Sequence, residues 1–385
     1  MSGSTAGFPT GRSVDAVTGS GIRAIANAAW QVPDAIRLEM GEPDFPTPPH
    51  IVAAAHEAAL NGATRYTPTA GIPELRAALA AKVRAVNGLD ADPEDVFVCA
   101  GAVQGLAAVY RSLLDEGDEI LVPDPGWPNF ANLARLAGAR PVTYELEAAA
   151  GFLPDLAALD RLVTARTRAI LVNSPSNPLG VVWPAEALAE VARWAAGRGL
   201  WVVSDECYDQ LGLDDDPPPS VAAVALDAPV VTVYSFSKTY AMTGWRIGYV
   251  VAPAPVAGRV AKVLETAVSC VSAPGQHAAL AALRGPQDVV ESMRLAYRER
   301  RDLALRVAAE HGLRALRPSG AFYLWVDVGV PSHDLALRLL RERQVAVAPG
   351  SAFGPAGERS VRVSLAAAPA DINEGLVRLA ALLST

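Results

Sequence analysis

Apolar residues recur along the chain with two different periods, and segments of the two kinds alternate. Ala and Leu return every three or four residues in segments typical of helices, at 49–61, 73–87, 103–115, 128–138 and 184–198. Short runs rich in β-branched residues lie between them, at 96–99, 119–122, 169–172, 200–204 and 230–234. Strands that alternate with helices predict a mostly parallel sheet covered by helices on both faces.

The pattern changes after Pro286. A long, arginine-rich amphipathic helix is followed by strand-like runs at 321–327, 345–348 and 360–365, with a helix near 332–343 and another at the end. This predicts a second, smaller α+β domain. The expected division is an N-terminal arm and small-domain segment at 1–45, a large domain at 46–285 and a C-terminal small domain at 286–385. Residues 1–20, rich in Gly, Ser and Thr, are expected to form a mobile arm.

Composition and charge narrow the functional class. Of 385 residues, 51% are hydrophobic and 19% are charged, which is typical of a globular protein. The net charge is −8 and no cluster of Lys and Arg forms a basic stripe, so we expect no nucleic-acid partner. The three cysteines and five histidines are scattered, without C-x-x-C or H-E-x-x-H, so we expect neither a metal site nor a disulfide framework.

The chain carries no sign of export or membrane insertion. Its N-terminus lacks the apolar segment of a secretory signal, and no run approaches 18 apolar residues without a charge or a Gly or Pro break. The expected location is the cytoplasm, without membrane association.

Lysine is rare in this chain, with only Lys82, Lys238 and Lys262. Lys82 and Lys262 have helical spacing and are expected to face water. Lys238 instead follows the strand-like run V-V-T-V-Y, where burial and nearby cations can make a lysine nucleophilic toward carbonyls. Arg246 lies eight residues further on and can hold a phosphate with two hydrogen bonds. The residues alone predict a Schiff-base lysine or a phosphate-binding one. A P-loop is excluded because no G-x-x-x-x-G precedes Lys238.

The segment S-F-S-K-T-Y-A-M-T-G-W-R-I-G-Y at 235–249 resembles the lysine motif of the class I aminotransferases, which are fold-type-I pyridoxal 5'-phosphate (PLP) enzymes. Further similar motifs follow the family's order: L-E-M-G-E-P-D-F, R-Y-T-P-T-A-G-I-P-E-L-R, D-P-G-W-P-N-F, N-S-P-S-N-P-L-G, S-D-E-C-Y and V-R-V-S. The resemblance covers residues 38 to 365 and is to the aspartate and aromatic aminotransferases. It implies a large domain with a seven-stranded, mostly parallel sheet and a smaller α+β domain.

The resemblance also implies how the cofactor is held. Lys238 carries PLP as a Schiff base, and Asp205 pairs with its pyridine nitrogen, which needs a positive charge to draw electrons from the substrate. Asn177 and Tyr208 match the donors to the phenolate oxygen. Trp127 matches the ring that stacks on the pyridine, where the alternative is a core tryptophan in a turn.

The implied phosphate site lies at a helix start, where free N–H groups suit a dianion. Gly101, Ala102 and Val103 supply that helix start. Ser235 and Arg246 match the family's other phosphate ligands, together with Tyr66 from a neighbouring subunit. The chain is therefore expected to form a homodimer.

The resemblance assigns the substrate to Arg362, which matches the arginine that binds the α-carboxylate. Gly41, Trp127 and Asn177 match further substrate contacts. The implied catalytic residues are Lys238, Asp205 and Tyr208, and the implied reaction moves an amino group from an L-amino acid to a 2-oxo acid by a ping-pong mechanism. After the substrate amine displaces Lys238, the freed lysine moves the Cα proton.

One departure bears on specificity. Val103 stands where relatives that prefer acidic substrates often have a lysine, so a neutral or aromatic substrate is slightly favoured over aspartate. A PLP-dependent lyase, cyclase or oxidase of specialised metabolism would use the same cofactor residues and remains open. A PLP-sensing regulator is disfavoured because only about forty residues precede the first motif. The G-x-G-x-x-A at 19–24 is rejected as a dinucleotide site because no strand-like run precedes it.

Overall fold

The computed structural model describes residues 14–384, so most of the predicted arm at 1–20 lies outside the described residues. The helices in chain order are α1 (Gly21–Ala29), α2 (Pro49–Leu60), α3 (Pro73–Asn87), α4 (Ala102–Leu113), α5 (Asn129–Leu136), α6 (Leu156–Leu162), α7 (Ala185–Ala196), α8 (Val221–Val224), α9 (Phe236–Thr239), α10 (Ala254–Val268), α11 (Ala273–Arg284), α12 (Asp288–Glu310), α13 (Ser332–Arg343) and α14 (Pro369–Leu383). Every helix predicted from the sequence is present, and the boundaries differ by a few residues.

The strands in chain order are β1 (Ile36–Leu38), β2 (Val96–Cys99), β3 (Glu119–Asp124), β4 (Arg140–Glu145), β5 (Thr167–Asn173), β6 (Trp201–Asp205), β7 (Val230–Ser235), β8 (Gly248–Val251), β9 (Arg314–Leu316), β10 (Tyr323–Asp327), β11 (Val345–Pro349) and β12 (Ser360–Ser364). They form a seven-stranded sheet in the order β2-β8-β7-β6-β5-β3-β4 and a five-stranded sheet in the order β1-β11-β12-β10-β9. The predicted fold class, a large mostly parallel sheet plus a smaller α+β part, is confirmed.

The large sheet is parallel from β4 to β7, and β8 is antiparallel to both of its neighbours. Every residue of β3, β6 from Val202 on and β7 is buried, as expected where helices cover both faces. The carboxyl ends of β5, β6 and β7 therefore meet at one edge, with Asn173 opposite Asp205. The candidate functional site lies along this edge of the large sheet.

The small sheet includes an N-terminal strand. β1 pairs in parallel with β11, Ile36 opposite Val345, and the side chains of both strands join a core with α12, α13 and α14. The division into 1–45, 46–285 and 286–385 stays a prediction. Within residues 14–384, no helix is long and apolar enough to cross a membrane.

The prediction that Lys82 faces water is wrong. Its side chain is 10% exposed, and its ammonium forms an ion pair with Asp209, which lies in the loop after β6. Lys82 also donates to Asn87 Oδ1 at 2.8 Å. Helical spacing indicated only that Lys82 lies beside the apolar stripe of α3. The carboxylate that draws it inward is more than a hundred residues away in the sequence.

Candidate active site

A cavity of about 900 Å³ opens at the carboxyl edge of the large sheet, where the small sheet faces it. Eleven of the residues predicted from the sequence line it: Gly41, Ala102, Val103, Trp127, Asn177, Asp205, Tyr208, Ser235, Lys238, Arg246 and Arg362. Gly101 directly precedes this group at the start of α4. Of the predicted site residues, only Tyr66 lies away from the cavity.

Lys238 lies in α9, the single helical turn that follows β7. Its Nζ donates a hydrogen bond to the carbonyl oxygen of Gly41 at 2.6 Å. The pKa of Lys238 is lowered to about 8. Burial is the largest cause and the positive charges of Arg362 and Arg246 act in the same direction, while Cys207 and Glu42 partly oppose them. A buried amine whose pKa is close to neutral is suited to attack carbonyls and to exchange protons.

Asp205 is the last residue of β6 and is 4% exposed. Its Oδ1 accepts a hydrogen bond from the backbone N–H of Cys207 at 3.1 Å. Burial raises the pKa of Asp205, while the contact with Cys207 and the charge of Lys238 lower it. Such a carboxylate gains by pairing with a cation, and a protonated pyridine nitrogen is one.

Arg362 lies on β12 of the small sheet, lines the cavity and is almost fully buried. Its Nη1 donates to Asn177 Oδ1 at 2.8 Å and its Nη2 to the carbonyl oxygen of Glu39 at 2.6 Å. Its Nε has no hydrogen-bond partner within the described part of the chain. Burial lowers the pKa of Arg362, although a guanidinium remains charged in proteins. A buried cation with an unused N–H is suited to bind a carboxylate.

The start of α4 and Arg246 form a cradle for an anion. Gly101 has a φ of +77°, and a Cβ there would overlap the guanidinium of Arg246. Arg246 is itself held by a hydrogen bond from its Nη1 to the carbonyl oxygen of Thr243 at 2.7 Å. Free N–H groups at a helix start, a guanidinium and the nearby hydroxyl of Ser235 are the donor set that a phosphate needs. Together with Lys238 and Asp205, these residues fit PLP.

Trp127 and Val103 line the same cavity. Trp127 lies just before α5 and packs edge-to-face against Phe130, with ring centroids 5.5 Å apart. It is half-buried, which leaves part of its ring available to a planar ligand. Val103 lies in the first turn of α4 and brings no charge to the cavity.

Tyr66 is 89% exposed and lies in the loop between α2 and α3. Its hydroxyl has no contact with the cavity of its own chain. The predicted role of Tyr66 at a neighbouring subunit's phosphate stays a prediction.

The structure adds site residues that the sequence interpretation missed. Asn173, at the end of β5, accepts from the N–H of Asn177 at 2.8 Å and donates to the carbonyl oxygen of Asp205 at 3.0 Å. Tyr323 forms a hydrogen bond with Tyr208, their hydroxyl oxygens 2.8 Å apart. The position of Asn173 at a strand end was the available signal, whereas nothing near Tyr323 in the sequence marked it.

Helix α1 contributes a further part of the wall through Arg23 and Asn27. Arg23 is exposed and forms no ion pair with any residue in the range 14–384. The helix begins at the rejected G-x-G-x-x-A sequence, where Ser20 caps it by accepting from the N–H of Arg23 at 3.2 Å. Asp15 and its neighbours form a turn rather than a strand before this helix.

Known proteins are similar to this chain in sequence and in fold. The family model for aminotransferase class I and II matches residues 33–379. An aspartate/prephenate aminotransferase of Thermus thermophilus is 41% identical over 91% of both chains, and an aromatic-amino-acid aminotransferase of Thermococcus litoralis is 36% identical over 95% of this chain and 96% of its own. A solved structure of Thermus thermophilus aspartate aminotransferase with maleate superposes with a TM-score of 0.93 at 40% identity, covering 97% of this chain and 100% of that one. The chain belongs to the class I and II aminotransferases and is a pyridoxal phosphate-dependent aminotransferase.

Proposed function

We propose that this enzyme transfers an amino group from an L-amino acid to a 2-oxo acid by a ping-pong mechanism through a Schiff base on Lys238. We further propose that it slightly favours neutral or aromatic substrates over aspartate. One observation carries the proposal. The buried amine of Lys238 lies in a single cavity with Asp205, which comes from the large sheet, and Arg362, which comes from the small sheet. A cofactor nitrogen and a substrate carboxylate therefore each have a charged partner in the cavity that contains the reacting amine.

The proposed cofactor contacts are those that the family resemblance implies, and the residues concerned line one cavity. Asp205 would pair with the pyridine nitrogen, Tyr208 and Asn177 would donate to the phenolate oxygen, and Trp127 would cover the ring. The residues proposed to hold the phosphate are Gly101, Ala102, Val103, Ser235, Arg246 and the Tyr66 of a second subunit. PLP, when bound, draws electrons from the substrate Cα and so makes its proton acidic.

The proposed substrate contacts centre on Arg362. Its unpaired Nε and its Nη groups offer a carboxylate two parallel hydrogen bonds, and Asn177 already holds Nη1 in place. A Cβ at Gly41 would overlap the hydroxyl of Tyr323, so glycine keeps the chain close to this site. Fixing the α-carboxylate orients the Cα–H bond toward Lys238.

Lys238 is the proposed general acid/base. Its Nζ takes the proton from the substrate Cα and gives it up again within the same cavity. The lowered pKa, about 8, supports this role because a substantial fraction of the amine is neutral near physiological pH. The unmodified amine contacts Gly41 O, which places it beside another residue proposed to contact the substrate.

The proposed side-chain preference rests on Val103. No cation is available at this position to pair with a second carboxylate, and burying an unpaired carboxylate is costly. Arg23 of α1 also lines the cavity, and its positive charge could pair with the side-chain carboxylate of aspartate. It is exposed to water, where a charge pair contributes little.

The test is a titration of the purified holoenzyme with single amino acids, followed by visible absorbance. A productive donor is expected to bleach the yellow cofactor band, and a 2-oxo acid is expected to restore it. The Lys238→Ala protein is expected to lose about 10²–10⁴-fold or more in rate, since proton transfer by a positioned group is worth that much. A Lys238→Ala protein that turned over at the wild-type rate would contradict the proposal.

The same titration ranks phenylalanine against aspartate. Phenylalanine is expected to react faster, and Val103→Lys is expected to improve aspartate roughly tenfold, the worth of one hydrogen bond to a charged group. Val103→Met controls for side-chain size. A wild-type preference for aspartate that disappears in Arg23→Met would show that Arg23 supplies the cation, and would overturn the proposed preference.

The alternative is a lyase, cyclase or oxidase that uses the same cofactor site. It predicts that amino acids change the band but that oxo acids do not restore it, with ammonia or an irreversible product released. We also propose, from the sequence, that the enzyme is a homodimer located in the cytoplasm, with domains at 1–45, 46–285 and 286–385.

A further inference from the structure

We propose that Tyr323 is a positioning residue that donates its hydroxyl hydrogen to Tyr208 and thereby strengthens the hydrogen bond from Tyr208 to the cofactor. This rests on the proposed role of Tyr208 at the phenolate oxygen. Nothing in the sequence motifs marks Tyr323, which is the first residue of β10 and belongs to the small sheet.

The placement of Tyr323 is tightly defined. The residue is 1% exposed, and its ring lies edge-to-face on that of Tyr208, with centroids 5.8 Å apart. The two hydroxyl oxygens are 2.8 Å apart, a normal length for this kind of hydrogen bond. Gly41 leaves the space that the Tyr323 hydroxyl occupies, because a Cβ there would overlap it. The small sheet thus places the Tyr323 hydroxyl next to Tyr208, the residue proposed to contact the cofactor.

Counting hydrogens fixes the direction of the bond. Each phenol has one hydrogen, and the geometry of the pair allows either oxygen to donate. If Tyr208 gives its hydrogen to the cofactor oxygen, its own oxygen is left to accept, and the donor is Tyr323. Within residues 14–384, the Tyr323 hydroxyl forms its hydrogen bond with Tyr208. The holoenzyme therefore contains a chain from Tyr323 to Tyr208 to the cofactor.

Arg362 strengthens this chain. Its guanidinium carbon lies 4.3 Å from the centroid of the Tyr323 ring. A cation against the ring makes the phenol a better donor, and consecutive hydrogen bonds in a buried site polarise one another. Arg362, which is proposed to bind the substrate carboxylate, thus also contacts Tyr323, which is proposed to support Tyr208.

The expected consequence is a shift in the pH titration of the cofactor. Donation from Tyr208 stabilises negative charge on the phenolate oxygen, which favours the deprotonated form of the yellow chromophore. Removing the Tyr323 hydroxyl weakens that donation. The midpoint of the absorbance change with pH is expected to rise in Tyr323→Phe by roughly half to one pH unit, the equivalent of one hydrogen bond.

Three variants test the inference in the holoenzyme. Tyr323→Phe is compared with Tyr297→Phe, which removes another buried hydroxyl from the same core. The Tyr297 hydroxyl has no hydrogen-bond partner within the described residues. Tyr297→Phe is expected to keep the wild-type midpoint. The double variant Tyr208→Phe/Tyr323→Phe is expected to match Tyr208→Phe, because Tyr323 acts through Tyr208.

The outcomes separate the inference from the proposed function. A Tyr323→Phe midpoint equal to or below that of the wild type would overturn the inference while the yellow band still reports a functional cofactor site. A double variant shifted beyond Tyr208→Phe would show that Tyr323 acts on the cofactor directly, and would also overturn it. Absence of any pH-dependent band in the wild type would instead contradict the proposed Schiff base on Lys238.

Discussion

Lys82 forms a buried ion pair with Asp209, which lies in the loop after β6. Its Nζ contacts the carboxylate of Asp209, and Asn87 Nδ2 donates to the same carboxylate at 3.1 Å. The ammonium also lies 4.8 Å from the centroid of the Tyr234 ring, on the face of β7 opposite Ser235. Since Asp209 follows Tyr208 directly, the pair holds the loop after β6 next to Tyr208.

Breaking this pair is expected to destabilise the enzyme. Lys82→Met leaves the carboxylate of Asp209, which is 4% exposed, buried without its cation, a change that costs about 3–5 kcal/mol in comparable cases. Thermal unfolding of the holoenzyme is the measurement. Lys262→Met, on the exposed face of α10, is the matched control and is expected to unfold like the wild type. Lys82→Met/Asp209→Leu is expected to recover part of the loss, and no recovery would contradict the pairing.

At the residue scale, the site residues that lie within recognisable sequence motifs could be predicted from the sequence. Lys238, Asp205, Arg246 and Arg362 all line one cavity, as the motifs implied. Lys82 was misassigned and Tyr323 was missed for the same physical reason. Each is defined by a partner distant in sequence, Asp209 in one case and Tyr208 in the other, and periodicity reports only the local face of an element.

At the element scale, most of the long helices and most of the strands were predictable, whereas β1, β4, β8 and β9 were not. β8 overlaps the end of the lysine motif and inserts between β7 and β2. Its pairing with β2 depends on residues about 150 positions earlier in the sequence. β1 has only three residues and gains its hydrogen bonds from β11. Such strands form because the sheet provides an edge or a gap, which a local pattern cannot show.

The junction between β3 and the loop at 350–357 is expected to respond to pH. The pKa of Asp124, the last residue of β3, is raised to about 6. Burial is the largest cause and Glu145 on β4 adds to it, while a hydrogen bond from Ala356 N–H partly opposes them. The folded state therefore holds this proton more tightly than the unfolded state between about pH 4 and pH 6. Stability from this group is present below that window and is lost as pH rises through it.

Asp124→Asn imitates the protonated acid at every pH and can still accept from Ala356. The variant is expected to unfold at a higher temperature than the wild type at pH 7.5, and the gain is expected to vanish near pH 4. Thermal unfolding at both pH values is the measurement. Glu145→Gln is expected to give a smaller gain in the same direction. A gain of equal size at both pH values would contradict the raised pKa.

At the scale of the whole molecule, the two sheets enclose a cavity that contains all predicted site residues except Gly101, which borders it, and Tyr66. Tyr66 is the outlier, with its large side chain in water beside Arg65 in the loop before α3. An exposed tyrosine that matches one of the family's phosphate ligands is the observation that favours a second copy of the chain. Each active site would then be shared between two subunits related by a two-fold axis.

Mixed dimers distinguish a shared site from a self-contained one. Tyr66→Ala and Lys238→Ala each impair every site of their own homodimer. If Tyr66 reaches the neighbouring subunit, a mixed dimer has one site with both substitutions and one site with neither. Unfolding and refolding the two variants together in equal amounts is expected to restore about a quarter of the wild-type activity, since half of the dimers are mixed and one of their two sites is intact. The variants refolded separately and then combined are the control. If Tyr66 serves the site of its own chain, every site in the mixed dimer carries one substitution, and co-refolding restores no more than this control.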